Sequence, residues 1–156
     1  ATGISFWGLC RRSWAFSSGM EGGAGGFALE LEVRDYEVDL QGVVNNAVYQ
    51  HYLEHARHEY LFARGVDFAD LHRQGLDLVV TRLEMDFRSP LRSRDRFAVT
   101  VQAGRQGRLR VVFEQQVLRL PDRRLVLDAC VTGVCLRDGR PVRPEEALDF
   151  SRLGIG

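Results

Sequence analysis

The residues most able to do chemistry together lie in one short stretch, Val33-Arg-Asp-Tyr-Glu-Val-Asp39-Leu-Gln-Gly42-Val-Val-Asn45-Asn46. Asp39 stands seven residues ahead of Asn46, where an apolar-periodic run begins. The first turn of a helix leaves N–H groups without acceptors and carries a partial positive charge. Such a helix end can hold the oxygen of a carbonyl as negative charge develops on it. A carboxylate facing that carbonyl could attack it, or could take a proton from water. A plainer reading makes Asp39 a turn residue or a partner of the helix dipole. Two further groups deserve the same weighing. His51, His55 and His58 follow one another at helical spacing beside Glu54, but the order is not the His-Glu-x-x-His of a zinc helix. A polar face is the expected account, and neither a metal nor a cofactor is expected. Glu54 and Arg57, three apart, are expected to pair. Arg88, Arg92, Arg94, Arg96, Arg105, Arg108 and Arg110 are opposed in their stretch only by Asp95. They read either as ordinary solvated turns or as a guanidinium anchor for a phosphate-bearing carrier.

These residues need elements to position them. Phe27, Leu29, Leu31 and Val33 alternate with polar residues, which predicts a strand. Residues 35–45 read as a loop containing Gly42. From Ala47 to Ala63 the residues Val48, Tyr49, Tyr52, Leu53, Ala56, Tyr60 and Ala63 fall on one stripe of a helix. Asn45 or Asn46 suits its N-cap and Gly65 its stop. A short helix is expected over residues 67–74. Then come strand-like runs, beginning with residues 77–88, where Val79, Thr81, Leu83, Met85 and Phe87 are expected to share one face. Further strands follow over 97–103, 108–120 and 124–137, with a final helical turn at 145–150. Strands joined by tight turns are antiparallel, and the long helix must be covered by the sheet they form. The fold class is therefore α+β, a long central helix wrapped by a curved antiparallel sheet of about five strands. Its open edge predicts pairing with a second copy, as a homodimer or homotetramer.

The motif Asp39-x-x-Gly42-x-Val44-x-x-x-x-Tyr49, followed by Tyr52, Glu54, Ala56 and Arg57, resembles the hotdog-fold thioesterases of the 4-hydroxybenzoyl-CoA thioesterase type. The nearer likeness is to the plant and cyanobacterial acyl-ACP thioesterase branch, which includes the acyl-lipid and methylketone-synthase-associated enzymes. It is carried by Arg34-Asp-Tyr-Glu-x-Asp39, Gly42-Val-Val-Asn-Asn-Ala-Val-Tyr49, Ala56-Arg57-His-Glu, Pro90-Leu-Arg-Ser and Arg140-Pro-Val-Arg, and spans about residues 28–150. The resemblance implies the hotdog fold and hydrolysis of acyl-CoA or acyl-ACP. It makes Asp39 the catalytic carboxylate and the Asn46 backbone N–H the oxyanion donor. Gly42, Val44, Asn45 and Tyr49 would border the substrate, with Tyr49 shaping the acyl tunnel. Apart from the resemblance, the anchor reading of the arginine run has Arg88, Arg92, Arg94 and Arg96 meet the carrier. An aromatic acyl-CoA thioesterase of the dihydroxynaphthoyl type and a hotdog acyl-thioester binder without hydrolysis are the alternatives.

Composition bounds the remaining classes. The 156 residues carry 21 basic and 21 acidic side chains, every basic one an arginine, and 45% are hydrophobic. Residues 21–86 hold 13 acids and five Arg, whereas residues 87–143 hold 13 Arg and five acids. This segregation can map onto two parts of a fold. Zero net charge, with no aromatics interleaved among the arginines, argues against a nucleic-acid partner. No apolar run approaches the ~20 residues of a membrane span. Residues 1–26 contain seven of the 16 glycines, both tryptophans and no acid before Glu21. They read as a non-core segment, whether a transit-peptide remnant, an over-extended frame ahead of Met20, or an arm. Residues 27–156 form the single domain. Cys10, Cys130 and Cys135 make no Cys-x-x-Cys pair, and Cys130 and Cys135 would face opposite ways in a strand. A reducing compartment is expected, cytoplasmic, or plastid if the leading segment derives from a transit peptide.

Overall fold

The computed structural model describes residues 26–155. The non-core segment and the alternative start at Met20 lie outside the described residues, apart from Gly26 at the segment's end. From Phe27 the elements run β1 (Phe27–Glu32), a 3₁₀ turn (Asp35–Glu37), α1 (Asn46–Ala63), α2 (Phe68–Arg73), β2 (Leu76–Phe87), β3 (Arg96–Gln106), β4 (Arg110–Arg119), β5 (Arg124–Arg137), β6 (Arg140–Val142) and a last 3₁₀ turn (Pro144–Glu146). The strands make one antiparallel sheet in the order β1-β3-β4-β5-β2, with β6 added on β5. Six strands stand where about five were expected. The extra one is three residues long, too short to show a period.

α1 forms where the stripe demands it. Asn45 caps it, its side chain accepting from the Ala47 N–H at 2.9 Å. Gly65, at φ +83°, ends it, with Val66 N–H donating to Leu61 O at 2.9 Å. That closing geometry satisfies last-turn carbonyls that would otherwise be left unpaired. Tyr49, Tyr52, Leu53, Ala56, Tyr60 and Leu61 are buried on α1. They face Phe97, Val99 and Val101 of β3, Val111, Phe113 and Val117 of β4, and Val131 and Cys135 of β5. Burying one such large side chain stabilises the fold by about 1.5–3 kcal/mol. Ala63 is exposed rather than on the stripe. Leu61 takes the buried place instead.

β2 corrects the sequence reading more sharply. A bulge between Val80 and Arg82 leaves Thr81 without a ladder partner. Beyond it Leu83 opposes buried Val131, and before it Leu78 opposes buried Cys135. An inserted residue shifts the side-chain period by one. Val79 therefore points away from α1 instead of sharing the face of Leu83, Met85 and Phe87. A Cβ on Gly133, opposite Val80, would stand 3.1 Å from Val79 O, a tight approach that the backbone would have to relieve by a few tenths of an ångström. The two cysteines of β5 face opposite ways, as the period requires. Cys135 is free and buried, while Cys130 is disulfide-bonded. Cysteine usage thus gives no argument for a reducing compartment. No helix of the described residues is long and apolar enough to cross a membrane.

Candidate active site

The candidate site is built from a turn and the helix start that follows it. The 3₁₀ turn at Asp35–Glu37 sends the chain into a small hairpin in which Val38 and Val44 form a bridge. Asp39 N–H donates to Val43 O at 2.9 Å and Gly42 N–H to Asp39 O at 3.0 Å. Gly42 sits at φ +77°, which an L side chain rarely adopts, and a Cβ there would meet nothing within 4 Å. The requirement for glycine is thus conformational in this structure. Asp39 Oδ1 accepts from Gln41 N–H at 2.8 Å and from Val43 N–H at 3.4 Å. Oδ2 accepts no hydrogen bond within the described residues, and the side chain is half-buried.

Three residues beyond Val43 the helix begins. Ala47 N–H is taken by the Asn45 side chain and Val48 N–H by Asn45 O. Asn46 N–H is left without a partner among the described residues, and Asn46 is exposed. A half-buried carboxylate with one uncommitted oxygen therefore lies close in the chain to an uncommitted donor at the positive end of an 18-residue helix. This arrangement can receive a carbonyl.

Leu91 holds the turn and the helix together. Val44 N–H donates to Leu91 O at 2.8 Å, and Leu91 N–H donates to the Tyr49 hydroxyl at 3.3 Å. Tyr49 is 3% exposed and packs against Phe87 and Tyr52, with ring centroids 5.6 and 6.0 Å away. Burial pushes its phenol above the ordinary range. Tyr52 is pushed up too, by burial first and by the Glu37 carboxylate second. Ser93 Oγ donates to Asp35 Oδ1, a further tie between the same two segments. The motifs at residues 34–39, 42–49 and 90–93 thus converge on one place. Arg140-Pro-Val-Arg does not, since it forms β6.

The arginine run divides. Arg88, Arg92, Arg94 and Arg96 lie on the segment from the end of β2 to the start of β3, around Leu91 and so beside the Asp39 turn. Arg94 sits at φ 68°, and Arg96 is held by Glu30 at 2.7 Å. Arg105, Arg108 and Arg110 lie at the β3–β4 hairpin. β3 is 11 residues long, which puts the two groups about 30 Å apart at ~3.3 Å per residue. Arg105 pairs there with Glu145.

On α1 the expected Glu54–Arg57 pair is not made. Glu54 lies 3.8 Å from His58, and Arg57 turns inward, donating to Gln115 Oε1 at 3.0 Å. Gln115 is 2% exposed and donates onward to Leu53 O at 3.1 Å. Burial lowers the Arg57 pKa. His58 lies against the Phe68 ring, and burial holds its pKa below the usual histidine value. Sequence reasoning missed Leu91, Glu37 and Gln115. The last was visible only as a lone polar residue at an inward position of an alternating strand.

A family model described as "Thioesterase superfamily" matches residues 41–126. Two curated relatives are each 42% identical. They are the chloroplastic acyl-acyl carrier protein thioesterases ATL2 and ATL3 of Arabidopsis thaliana, aligned over 78% and 74% of this chain. The chain spans 65% and 61% of their lengths. Among solved structures, a DHNA-CoA thioesterase from Staphylococcus aureus superposes with a TM-score of 0.72 at 24% identity, covering 78% of this chain and 82% of that one. The likeness of fold confirms the hotdog architecture expected from the sequence.

Proposed function

Because this chain belongs to the thioesterase superfamily, we propose that it hydrolyses acyl thioesters at the junction of the Asp39 turn and the α1 N-terminus. The observation that carries this is that Asp39 Oδ2 and the Asn46 N–H are both uncommitted and belong to one turn and the helix start directly after it. The thioester carbonyl oxygen accepts from Asn46 N–H. Asp39 then acts in one of two ways. As nucleophile, its carboxylate attacks the carbonyl carbon, the C–S bond breaks, the thiolate leaves, and water hydrolyses the mixed anhydride. As base, it takes a proton from the water that attacks. Either route releases a carboxylic acid and a thiol. Val44, Asn45, Gly42 and Tyr49 frame the site, and Arg88, Arg92, Arg94 and Arg96 lie where a phosphopantetheine-bearing carrier would approach.

The names of the two relatives support a fatty acyl group carried on ACP, with CoA as the other carrier, and their chloroplastic setting supports a plastid one. A homodimer completes the site in this reading. Edge strand β2 presents Val80 and Phe87, 53% and 47% exposed, and Leu40 at the tip of the Asp39 turn is fully exposed. Apolar groups along an open edge favour pairing with a second copy.

One observation favours a second reading, an acyl-thioester binder without hydrolysis: Asp39 Oδ1 already caps its own turn. The experiment that separates the two is thiol release from fatty and aromatic acyl groups on ACP and CoA, by wild type and Asp39→Asn. Release by wild type and not by the variant supports hydrolysis. Equal release by both overturns the role of Asp39, and ligand binding without release by wild type favours the binder.

A further inference from the structure

Tyr52 carries a hydroxyl that the site described above does not use. Its side chain is 6% exposed and packs against Phe97 and Tyr49, with ring centroids 4.7 and 6.0 Å away. The hydroxyl is buried, and no group among the described residues meets it in hydrogen-bonding geometry. Burying a hydroxyl without a partner destabilises a fold, so such a group calls for a reason. The acceptor near it is the Glu37 carboxylate, which stands close enough to add to the effect of burial and push the phenol up.

Glu37 stands between the two reacting groups. It lies two residues before Asp39, and the intervening Val38 is extended and bridged to Val44. Its carbonyl accepts from Asn45 N–H at 3.1 Å, one residue before the Asn46 donor. Its carboxylate is only half engaged. Oε1 accepts from Arg34 N–H at 2.8 Å, and Oε2 accepts no hydrogen bond within the described residues. Tyr52 belongs to the body of α1, six residues beyond Asn46, and a long helical side chain leans back over the turn before its own. A bond from Tyr52 to Glu37 therefore joins the rigid helix to the segment that carries Asp39. In the free protein the Glu37 side chain is half-buried and still meets water, which competes for Oε2. An acyl thioester seated on the turn excludes that water, and the Tyr52 hydroxyl becomes the donor within reach.

We propose that Tyr52 is a positioning residue for thioester hydrolysis: when the substrate seats, its hydroxyl donates to Glu37 Oε2 and braces the Asp39 turn against α1. Given the roles proposed above for Asp39 and Asn46, on which this one rests, the brace sets the distance between the carboxylate and the oxyanion donor. A small error in such a distance costs rate more than binding. No covalent step passes through Tyr52 or Glu37. The brace also gives the buried hydroxyl its reason, an acceptor that the bound state supplies.

Tyr52→Phe keeps the ring and removes the hydroxyl. In thiol release it should lower kcat about tenfold and leave KM within about twofold. Glu37→Gln, which keeps an acceptor for Arg34 N–H and removes the charge, should lower kcat less. The double variant should be no slower than Tyr52→Phe alone, because the two residues act as one unit. In urea, Tyr52→Phe should match or exceed the wild-type midpoint, since it removes a buried hydroxyl that lacks a partner. A residue that merely packs would lower the midpoint and show no coupling to Glu37 in kcat. A further readout is independent of turnover. Bound at saturation, a non-hydrolysable acyl thioether on ACP or on CoA should slow amide exchange at Asp39, Gly42 and Asn45 about tenfold in wild type and not in Tyr52→Phe. Wild-type kcat in Tyr52→Phe, losses that multiply in the double variant, a lowered midpoint, or equal protection in both proteins would each overturn the proposal while leaving Asp39 its role. Failure of both thioethers to bind wild type would instead overturn the acyl-thioester site itself, and the brace with it.

Discussion

Arg88 to Arg96 and Arg105 to Arg110 are neighbours in the sequence, yet β3 carries them to opposite ends of the sheet. The first group surrounds Leu91, whose backbone is held by Val44 and Tyr49. It therefore stands beside the Asp39 turn. The second group borders the β3–β4 hairpin at the far end, where Arg105 pairs with Glu145 and lies over the Phe150 ring. A charge run counted along the chain is thus not one charge patch. The difference teaches that residues clustered in sequence must be judged, and variants of them chosen, by the end of the sheet on which each one stands.

The largest contrast between the two ends is expected for the site itself. Asp39→Asn should lower kcat by about 10²–10⁴-fold, the scale of a lost general base. Arg110→Ala at the far end should leave kcat unchanged. Thiol-release kinetics with circular dichroism on both variants read this directly, and similar rates for the two would erase the distinction.

The second effect concerns the interior that separates the ends. Gln115→Leu leaves the half-buried Arg57 guanidinium without its partner and should destabilise the fold by about 1–3 kcal/mol. Urea denaturation measures it. A neutral result would mean that Arg57 finds solvent instead.

The third effect sharpens the comparison of arginines. Arg92→Ala or Arg94→Ala should raise KM severalfold on the true carrier, more than it lowers kcat, and the wild-type KM should rise with salt. Arg108→Ala should do neither. If all three variants behave alike, or KM ignores salt, the arginine excess carries no carrier contact at either end.

The smallest effect is a titration. Burial lowers the folded pKa of His58, with Glu54 at 3.8 Å partly opposing it. The unfolded chain therefore binds the proton more readily. Stability is present above the ordinary histidine pKa of about 6.5 and falls as pH drops through the folded value. The loss in urea midpoint between pH 7.5 and pH 5 should be slightly smaller in His58→Gln than in wild type. An identical loss would assign the pH dependence to other groups.

Much of this was legible before the coordinates. The helix stripe, Asn45 as its cap, Gly65 as its stop and the short second helix all depend on residues within one or two turns of each other. So does the turn that places Asp39 ahead of Asn46, because Gly42 and the helix start are local signals. Other features were not legible because they arise between residues far apart in the chain. The bulge at Thr81 reverses which of Val79 and Leu83 faces the helix, and only pairing with β5 reveals it. Arg57 meets Gln115 across 58 positions, in preference to the nearby Glu54. Leu91 holds the candidate site through backbone atoms, which residue types do not encode.

The sequence by itself determined the elements, their order, the α+β class and the composition of the loop before α1, since these follow from short-range periodicity and capping. Tertiary structure alone decided which face each strand residue takes and which arginines stand near the turn. Those outcomes depend on strand register, and register is set by contacts among residues that only the fold brings together.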